Sequence, residues 1–156
     1  MKIFVGADHR GVKGALEVVE LLRSRHHDVQ YVGNLDQTSV DYSDQAYLVA
    51  SAVAIGQADR GILLSGTGIG TCIASNKIAG IRAVVGYDAW AAEIGRAHHD
   101  CNVLCIPADL VGPSELSKIV RKWLETEFEG GRHARRLSKI KMIEEGQDPA
   151  TYQEGP

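Results

Sequence analysis

Three glycines within five residues mark the stretch LLSGTGIGTCIASNK, at Gly66, Gly68 and Gly70. An apolar run precedes them and a helix-like run follows. Glycine permits positive φ and lets a ligand approach the backbone closely, and successive N–H groups ahead of a helix form a concavity suited to negative charge. We expect the loop to hold a phosphate, a carboxylate or an enediolate formed during a reaction. The competing interpretation is a tight strand-to-helix turn that binds nothing.

Two nucleotide-binding patterns come close to this loop. A Walker loop requires Gly-Lys-Ser/Thr at a set spacing, which the sequence lacks. The dinucleotide fingerprint is G-x-G-x-x-G after the first strand, whereas here G-x-G-x-G follows the third predicted strand, with Asp88 at the end of the next one. The chain also has no room for a separate substrate domain. Dinucleotide binding is therefore the weaker alternative.

Carboxylate, imidazole and guanidinium groups occur at three further places. ADHRG carries Asp8 and His9, RAHHDCN carries His98 and His99, and GGRHARRL carries Arg132, His133, Arg135 and Arg136. We expect these groups to gather with the glycine loop at one edge of a sheet. Carboxylates and imidazoles suit proton transfer beside a carbonyl, and clustered arginines suit an anionic handle such as phosphate.

Each of these groups also has a simpler explanation. Asp8 can cap the first helix, and the RHARR run can be a solvated helix face. His98 and His99 invite a metal interpretation, but adjacent residues on a helix point apart, so no metal site is predicted.

The elements that must position these residues follow from short β-branched runs alternating with longer helical patterns. Strands are predicted at 2–7, 28–33, 60–65, 81–87 and 102–107, and helices at 11–25, 43–58, 71–79, 89–97, 114–128 and 132–145. This alternation requires right-handed crossovers and a parallel sheet covered on both faces. The sequence thus predicts a doubly wound α/β sandwich with one five-stranded parallel sheet. It forms a single domain, 1–146, with a C-terminal helix and a polar tail at 147–156.

Composition indicates which classes of binding partner and which cellular compartment fit the chain. The chain is 44% hydrophobic and 24% charged, as is usual for globular proteins. A net charge of -3 gives no electrostatic argument for nucleic acid or a membrane surface. The N-terminus reaches charged residues too early for a signal peptide. Three cysteines without a pairing pattern, Cys72, Cys101 and Cys105, favour a reducing cytoplasm.

The motifs GADHRG, VDYSDQA, GILLSGTGIGTCIASNKIAGIRAVV, HHDCNVL and EGGRH occur in this order between about residues 3 and 145. Together they resemble the ribose-5-phosphate isomerase B / galactose-6-phosphate isomerase family. The resemblance implies a Rossmann-like fold and a cofactor-independent aldose–ketose isomerase of the pentose phosphate pathway. It also implies a pentose or hexose phosphate as substrate, and a homodimer or homotetramer in which two subunits share each active site.

The resemblance implies roles for individual residues in a reaction that opens the sugar ring and moves a proton from C2 to C1 through a cis-enediolate. Asp8 and His98 would assist ring opening, and Thr67 would relay protons among the sugar oxygens. The backbone N–H groups of 66–70 would stabilise the enediolate. The residues expected to bind the substrate, chiefly through its phosphate, are His9, Tyr42, Arg132, His133 and Arg136.

Three features of this chain depart from the family pattern. Ser65 stands where many relatives carry a Cys whose thiolate removes the C2 proton, and Thr71 stands where others carry Glu. Ser65 is the predicted base, although it needs a strong base beside it. Cys72 is close in sequence, but a helix turns by about 100° per residue, so its side chain is expected to pack inward. His99 replaces an Asn that donates to the enediolate.

The third departure is Asp109, which replaces a phosphate-binding Arg and is expected to repel a phosphate unless its loop is displaced. Two hypotheses follow from these departures. One is an isomerase with an altered substrate preference. The other is a non-catalytic sugar or sugar-phosphate binding protein of the same fold. The presence of Asp8, Thr67, His98 and the glycine loop favours the enzyme.

Overall fold

The computed structural model describes residues 1–33, 35 and 38–153. The strands are β1 (Lys2–Ala7), β2 (Asp28–Val32), β3 (Arg60–Ser65), β4 (Ala83–Val85) and β5 (Val103–Pro107). The helices are α1 (Val12–Ser24), α2 (Tyr42–Ala54), α3 (Ile69–Ser75), α4 (Ala89–His99), α5 (Pro113–Glu125) and α6 (Arg132–Glu144). A 3-10 turn, Pro149–Thr151, lies in the polar tail, whose last residues, 154–156, are outside the described part of the chain. None of the helices described is long and apolar enough to cross a membrane.

The five strands form one sheet in the order β2-β1-β3-β5-β4, and all neighbouring pairs are parallel. The predicted doubly wound parallel sheet is confirmed. The chain passes from β1 to β2 on one side of β1 and then to β3 on its other side. The loops that follow β1 and β3 therefore leave the sheet in opposite directions. Such a reversal opens a crevice beyond the carboxyl ends of the strands, which is where ligands bind in this architecture.

The helices cover both faces of the sheet. One apolar cluster joins α1, α4 and α5 to the sheet and includes the fully buried Trp123. A second cluster lies under α2 and α3 and includes Val49 and Cys105. Strands buried on both faces explain the unbroken apolar runs of β3 and β5.

Helix α6 contacts the rest of the subunit sparsely. It packs against the 3-10 turn and α4, Glu144 Oε1 accepts a hydrogen bond from the N–H of Gly80 at 2.8 Å, and His133 is its buried residue. The helix follows Gly130 and Gly131, which both have positive φ, and it carries the arginines singled out in the sequence. Most residues of this basic helix are therefore exposed.

Helix α3 begins at Ile69, two residues before the predicted start, because Gly68 takes a left-handed conformation with φ 71° and serves as its N-cap. Such a conformation is easy for glycine and strained for other residues. The first turn of α3 therefore follows the glycine loop directly, with no residues between them.

Gly11 brings the start of α1 against the end of β3. A Cβ atom at Gly11 would lie 2.3 Å from the carbonyl oxygen of Leu64. Because a backbone atom yields little, we expect Gly11→Ala to lower the free energy of unfolding by about 1–3 kcal/mol or more. Urea unfolding measures this. Gly112→Ala is the matched control, since Gly112 is also a helix N-cap but has nothing within 4 Å; equal losses in both variants would contradict the steric argument.

Candidate active site

The loop after β1 fixes the carboxylate of Asp8 beside the end of β3. Asp8 is buried, and its Oδ1 accepts hydrogen bonds from the backbone N–H groups of Arg10 and Gly11, at 2.9 and 3.1 Å. Its own N–H donates to the carbonyl of Leu64 at 3.1 Å. Asp8 therefore braces the turn before α1, whose N-cap residue is Gly11, and the same bonds hold it at the carboxyl edge of the sheet.

The glycine loop uses part of its N–H groups internally. The N–H of Gly68 donates to Ser65 Oγ at 3.2 Å, and that of Ile69 donates to the exposed Thr67 Oγ1 at 3.3 Å. Anion binding by this loop consequently depends on the remaining N–H groups of 66–70. Tyr42 adjoins the loop, since a Cβ at Gly70 would lie 2.6 Å from its ring.

Ser65 belongs to a closed ring of hydrogen bonds. Thr71 Oγ1 donates to the carbonyl of Gly68 at 3.0 Å. The 3.2 Å contact between the two hydroxyls is then a bond that Ser65 donates to Thr71. Both side chains are buried. The ring consists of two hydroxyls and the backbone N–H and carbonyl of Gly68, and none of these groups titrates in the physiological range. The ring braces the loop, while the role of Ser65 as the C2 base stays a prediction.

Cys72 packs inward, as expected from the helical rotation. Its half-buried side chain lies against the cluster under α2 and α3, with Sγ 3.4 Å from the carbonyl oxygen of Ala83. A hydrogen bond with Cys105 lowers the pKa of the Cys72 thiol. Burial raises the pKa of Cys105, and that of Cys101 to about 12. The thiol of Cys72 therefore faces the core.

Asp109 does not present an unpaired negative charge to the loop. Its carboxylate pairs with Arg10, whose Nη2 lies 2.7 Å from Oδ2. The expected repulsion of a phosphate is thereby offset by an adjacent cation. Arg10 is not among the site residues expected from the sequence, although it lies within the motif GADHRG. It directly follows His9, whose buried Nδ1 has no hydrogen-bond partner among the described residues.

The expectation that all candidate groups gather at one edge of the sheet is wrong within a single chain. Helix α4 runs antiparallel to the strands and ends at His99, just before the amino end of β5, where Gly61 N–H donates to the carbonyl of Asn102. The glycine loop lies at the other end, where Ser65 pairs with Pro107. Strands of this length separate the two edges by about 17–20 Å.

The amino edge carries its own cluster of imidazole, carboxylate and guanidinium groups. The rings of His98 and His133 stack with centroids 4.1 Å apart, and Glu129 Oε2 lies 3.8 and 3.6 Å from their Nε2 atoms. Arg132 Nε donates to His133 Nε2 at 3.4 Å. Desolvation lowers the pKa of the His133 imidazole and that of His99, and the charge of His98 lowers both further.

The charge of Arg136 also contributes to lowering both of these pKa values. The potential ligand atoms of His98, Glu129 and His133 lie within 4.8 Å of one another. Nearby guanidinium groups make this cluster a poor place for a cation and a good one for an anion.

Comparison with known proteins identifies the family. The Ribose/Galactose Isomerase family model matches residues 3–140. The chain belongs to this family. Ribose-5-phosphate isomerase B of Escherichia coli is 43% identical over 144 residues, which cover 92% of this chain and 97% of the relative. D-erythrulose-4-phosphate isomerase of Pectobacterium atrosepticum is 35% identical over 145 residues, which cover 92% and 95%.

Solved structures of the family share the fold. Ribose-5-phosphate isomerase B of Clostridium thermocellum matches with a TM-score of 0.92 and 43% identity, over 94% of this chain and 99% of that one. The enzyme of Mycoplasma genitalium with bound ribulose-5-phosphate matches with a TM-score of 0.89 and 38% identity, over 92% and 96%. The resemblance predicted from the motifs is confirmed, together with the α/β fold that it implied.

The hydrogen-bonded ring around Ser65 has a measurable effect on stability. Ser65→Ala removes the acceptor of the Gly68 N–H and leaves that buried group unsatisfied. We therefore expect the free energy of unfolding to fall by about 1–3 kcal/mol, measured by urea unfolding. Ser24→Ala is the control, because the exposed Ser24 hydroxyl donates only to a carbonyl of its own helix. A neutral Ser65→Ala would show that the ring does not brace the loop.

Proposed function

We propose that the protein is a cofactor-independent aldose–ketose isomerase of pentose or hexose phosphates, of the ribose 5-phosphate/ribulose 5-phosphate type. The observation that carries this proposal is the glycine loop at the carboxyl end of β3, with the buried Asp8 carboxylate beside it, in a chain of the Ribose/Galactose Isomerase family. A relative in that family has been solved with bound ribulose-5-phosphate.

The proposed reaction assigns different work to the two edges of the sheet. At the carboxyl edge, Asp8 assists ring opening, Thr67 relays protons with its exposed hydroxyl, and the glycine loop stabilises the enediolate. Removing one donor to such an oxyanion typically costs about 100- to 1000-fold in rate. At the amino edge, His98 is the second group for ring opening, and the residues expected to bind the phosphate or the enediolate are His99, Arg132, His133 and Arg136.

A site composed of both edges requires a second copy of the chain. In a two-fold symmetric dimer each subunit can present its amino edge to the carboxyl edge of the other. Large apolar side chains are exposed on the two helices beside the glycine loop, where a second copy would cover them: Tyr47 and Leu48 on α2, and Ile69 and Ile73 on α3. This arrangement supports a dimer, or a tetramer built from dimers, with shared active sites.

Exchange of solvent deuterium at C2 tests the reaction and locates the base. We expect the protein to incorporate deuterium into ribose 5-phosphate with turnover. Ser65→Ala should slow the exchange about 100-fold or more if Ser65 is the base. Cys72→Ala should leave it nearly unchanged, because that thiol faces the core. If both variants keep the wild-type exchange rate, neither residue is the base. If the protein binds sugars but exchanges deuterium with none of them, the non-catalytic binding protein is favoured.

Mixing two inactive variants tests whether the site is shared. Asp8→Asn disables the carboxyl edge and His98→Asn disables the amino edge. In a mixed dimer one site carries both changes and the other carries neither. Co-expression at equal levels should therefore restore about a quarter of the wild-type activity, since half of the dimers are mixed. A mixture that stays inactive, although mass spectrometry detects mixed dimers, would place all catalytic groups of a site in one subunit.

A further inference from the structure

Arg10 and Asp109 form a bidentate ion pair directly over the glycine loop. Arg10 Nε lies 2.8 and 3.1 Å from the two carboxylate oxygens of Asp109, and Nη2 lies 2.7 Å from Oδ2. A Cβ at Gly66 would lie 2.9 Å from Asp109 Oδ2 and 3.1 Å from Arg10 Nε. The missing side chain at Gly66 thus leaves the space in which the pair sits.

Hydrogen bonds fix this pair relative to three loops of the site. The N–H of Asp109 donates to the carbonyl of Gly66 at 3.1 Å, and that of Ala108 donates to the carbonyl of Ser65 at 2.9 Å. The N–H of Arg10 donates to Asp8 Oδ1 at 2.9 Å. The guanidinium is therefore held beside Asp8 and the glycine loop.

The geometry leaves the guanidinium able to bind a second anion. Asp109 occupies the Nε and Nη2 edge, whereas the edge formed by Nη1 and Nη2 points away from that carboxylate. The Arg10 side chain is 56% exposed. A planar guanidinium offers five N–H donors in a fixed fork, and holding it in place reduces the ordering that a ligand must impose.

We propose that Arg10, positioned by Asp109, binds the anionic group of the substrate and sets the preference for phosphorylated over unphosphorylated sugars. This inference rests on the proposed isomerase function. The ligand chemistry is a phosphate dianion, which Arg10 reaches from the carboxyl edge. Arg10 is the ligand-contacting residue, and Asp109 acts through it.

The first test compares ribose 5-phosphate with ribose. Arg10→Gln should raise the KM for ribose 5-phosphate roughly 10- to 100-fold, as expected for a lost charge-assisted hydrogen bond, with little change in kcat. The KM for ribose should stay the same. Lys118→Gln removes a charge from an exposed ion pair within α5 and should change neither value. An Arg10→Gln variant that keeps its preference, or loses activity equally with both sugars, would overturn the proposal.

The second test separates positioning from direct contact. Asp109→Asn should raise the KM for ribose 5-phosphate severalfold by releasing the guanidinium, and should add nothing in an Arg10→Gln background. Arg10→Lys should recover part of the loss. A lower KM in Asp109→Asn would mean that this carboxylate only opposes the phosphate. Exposed ion pairs contribute little to stability, so all four variants should fold, which thermal unfolding checks.

The third test does not depend on catalysis. Calorimetric titration with inorganic phosphate should give a Kd that rises roughly tenfold or more in Arg10→Gln. If the wild-type protein isomerises no sugar but shows this difference, the proposed function fails and the assignment of Arg10 stands. If it isomerises ribose 5-phosphate and phosphate binding is unchanged in Arg10→Gln, the assignment of Arg10 fails alone.

Discussion

The parallel pairing of β1, β3 and β5 is the constraint on which the rest of the structure depends. It brings the ends of three strands to one edge, where Asp8 N–H bonds to Leu64 and Ala108 N–H bonds to Ser65. The same pairing sends the end of every returning helix to the opposite edge. Two groups of chemistry-bearing residues therefore form on one subunit, and no rearrangement of loops within that subunit can join them.

The glycine loop combines a rigid frame with an open surface. The hydroxyls of Ser65 and Thr71 fix the buried side of the loop, and the ion pair of Arg10 with Asp109 lies beside Gly66 on its exposed side. Ser65, the residue predicted to be the C2 base, is part of this frame. Hydrogen bonds between buried, uncharged groups thus order the loop before a ligand binds. Such bonds are stronger in the low-dielectric interior than in water.

Much of the fold followed from local pattern, because strands buried on both faces leave unbroken apolar runs and glycines punctuate the loops. The position of the glycine loop and of Asp8 followed in turn. The pairing of Arg10 with Asp109 did not, since the two residues lie 99 positions apart and only packing of three loops brings them together. The separation of His98 from the glycine loop could have been foreseen, because a helix that precedes a parallel strand ends at its amino edge.

The site that we propose, divided between two subunits, would make activity a property of the assembly. Under this proposal, specific activity falls when dilution separates the copies, and a substrate that bridges two chains strengthens their association by mass action. Helix α6 packs sparsely on its own subunit, so in the proposed dimer the neighbouring copy would supply further contacts to its arginines. Turnover per chain would then depend on protein concentration.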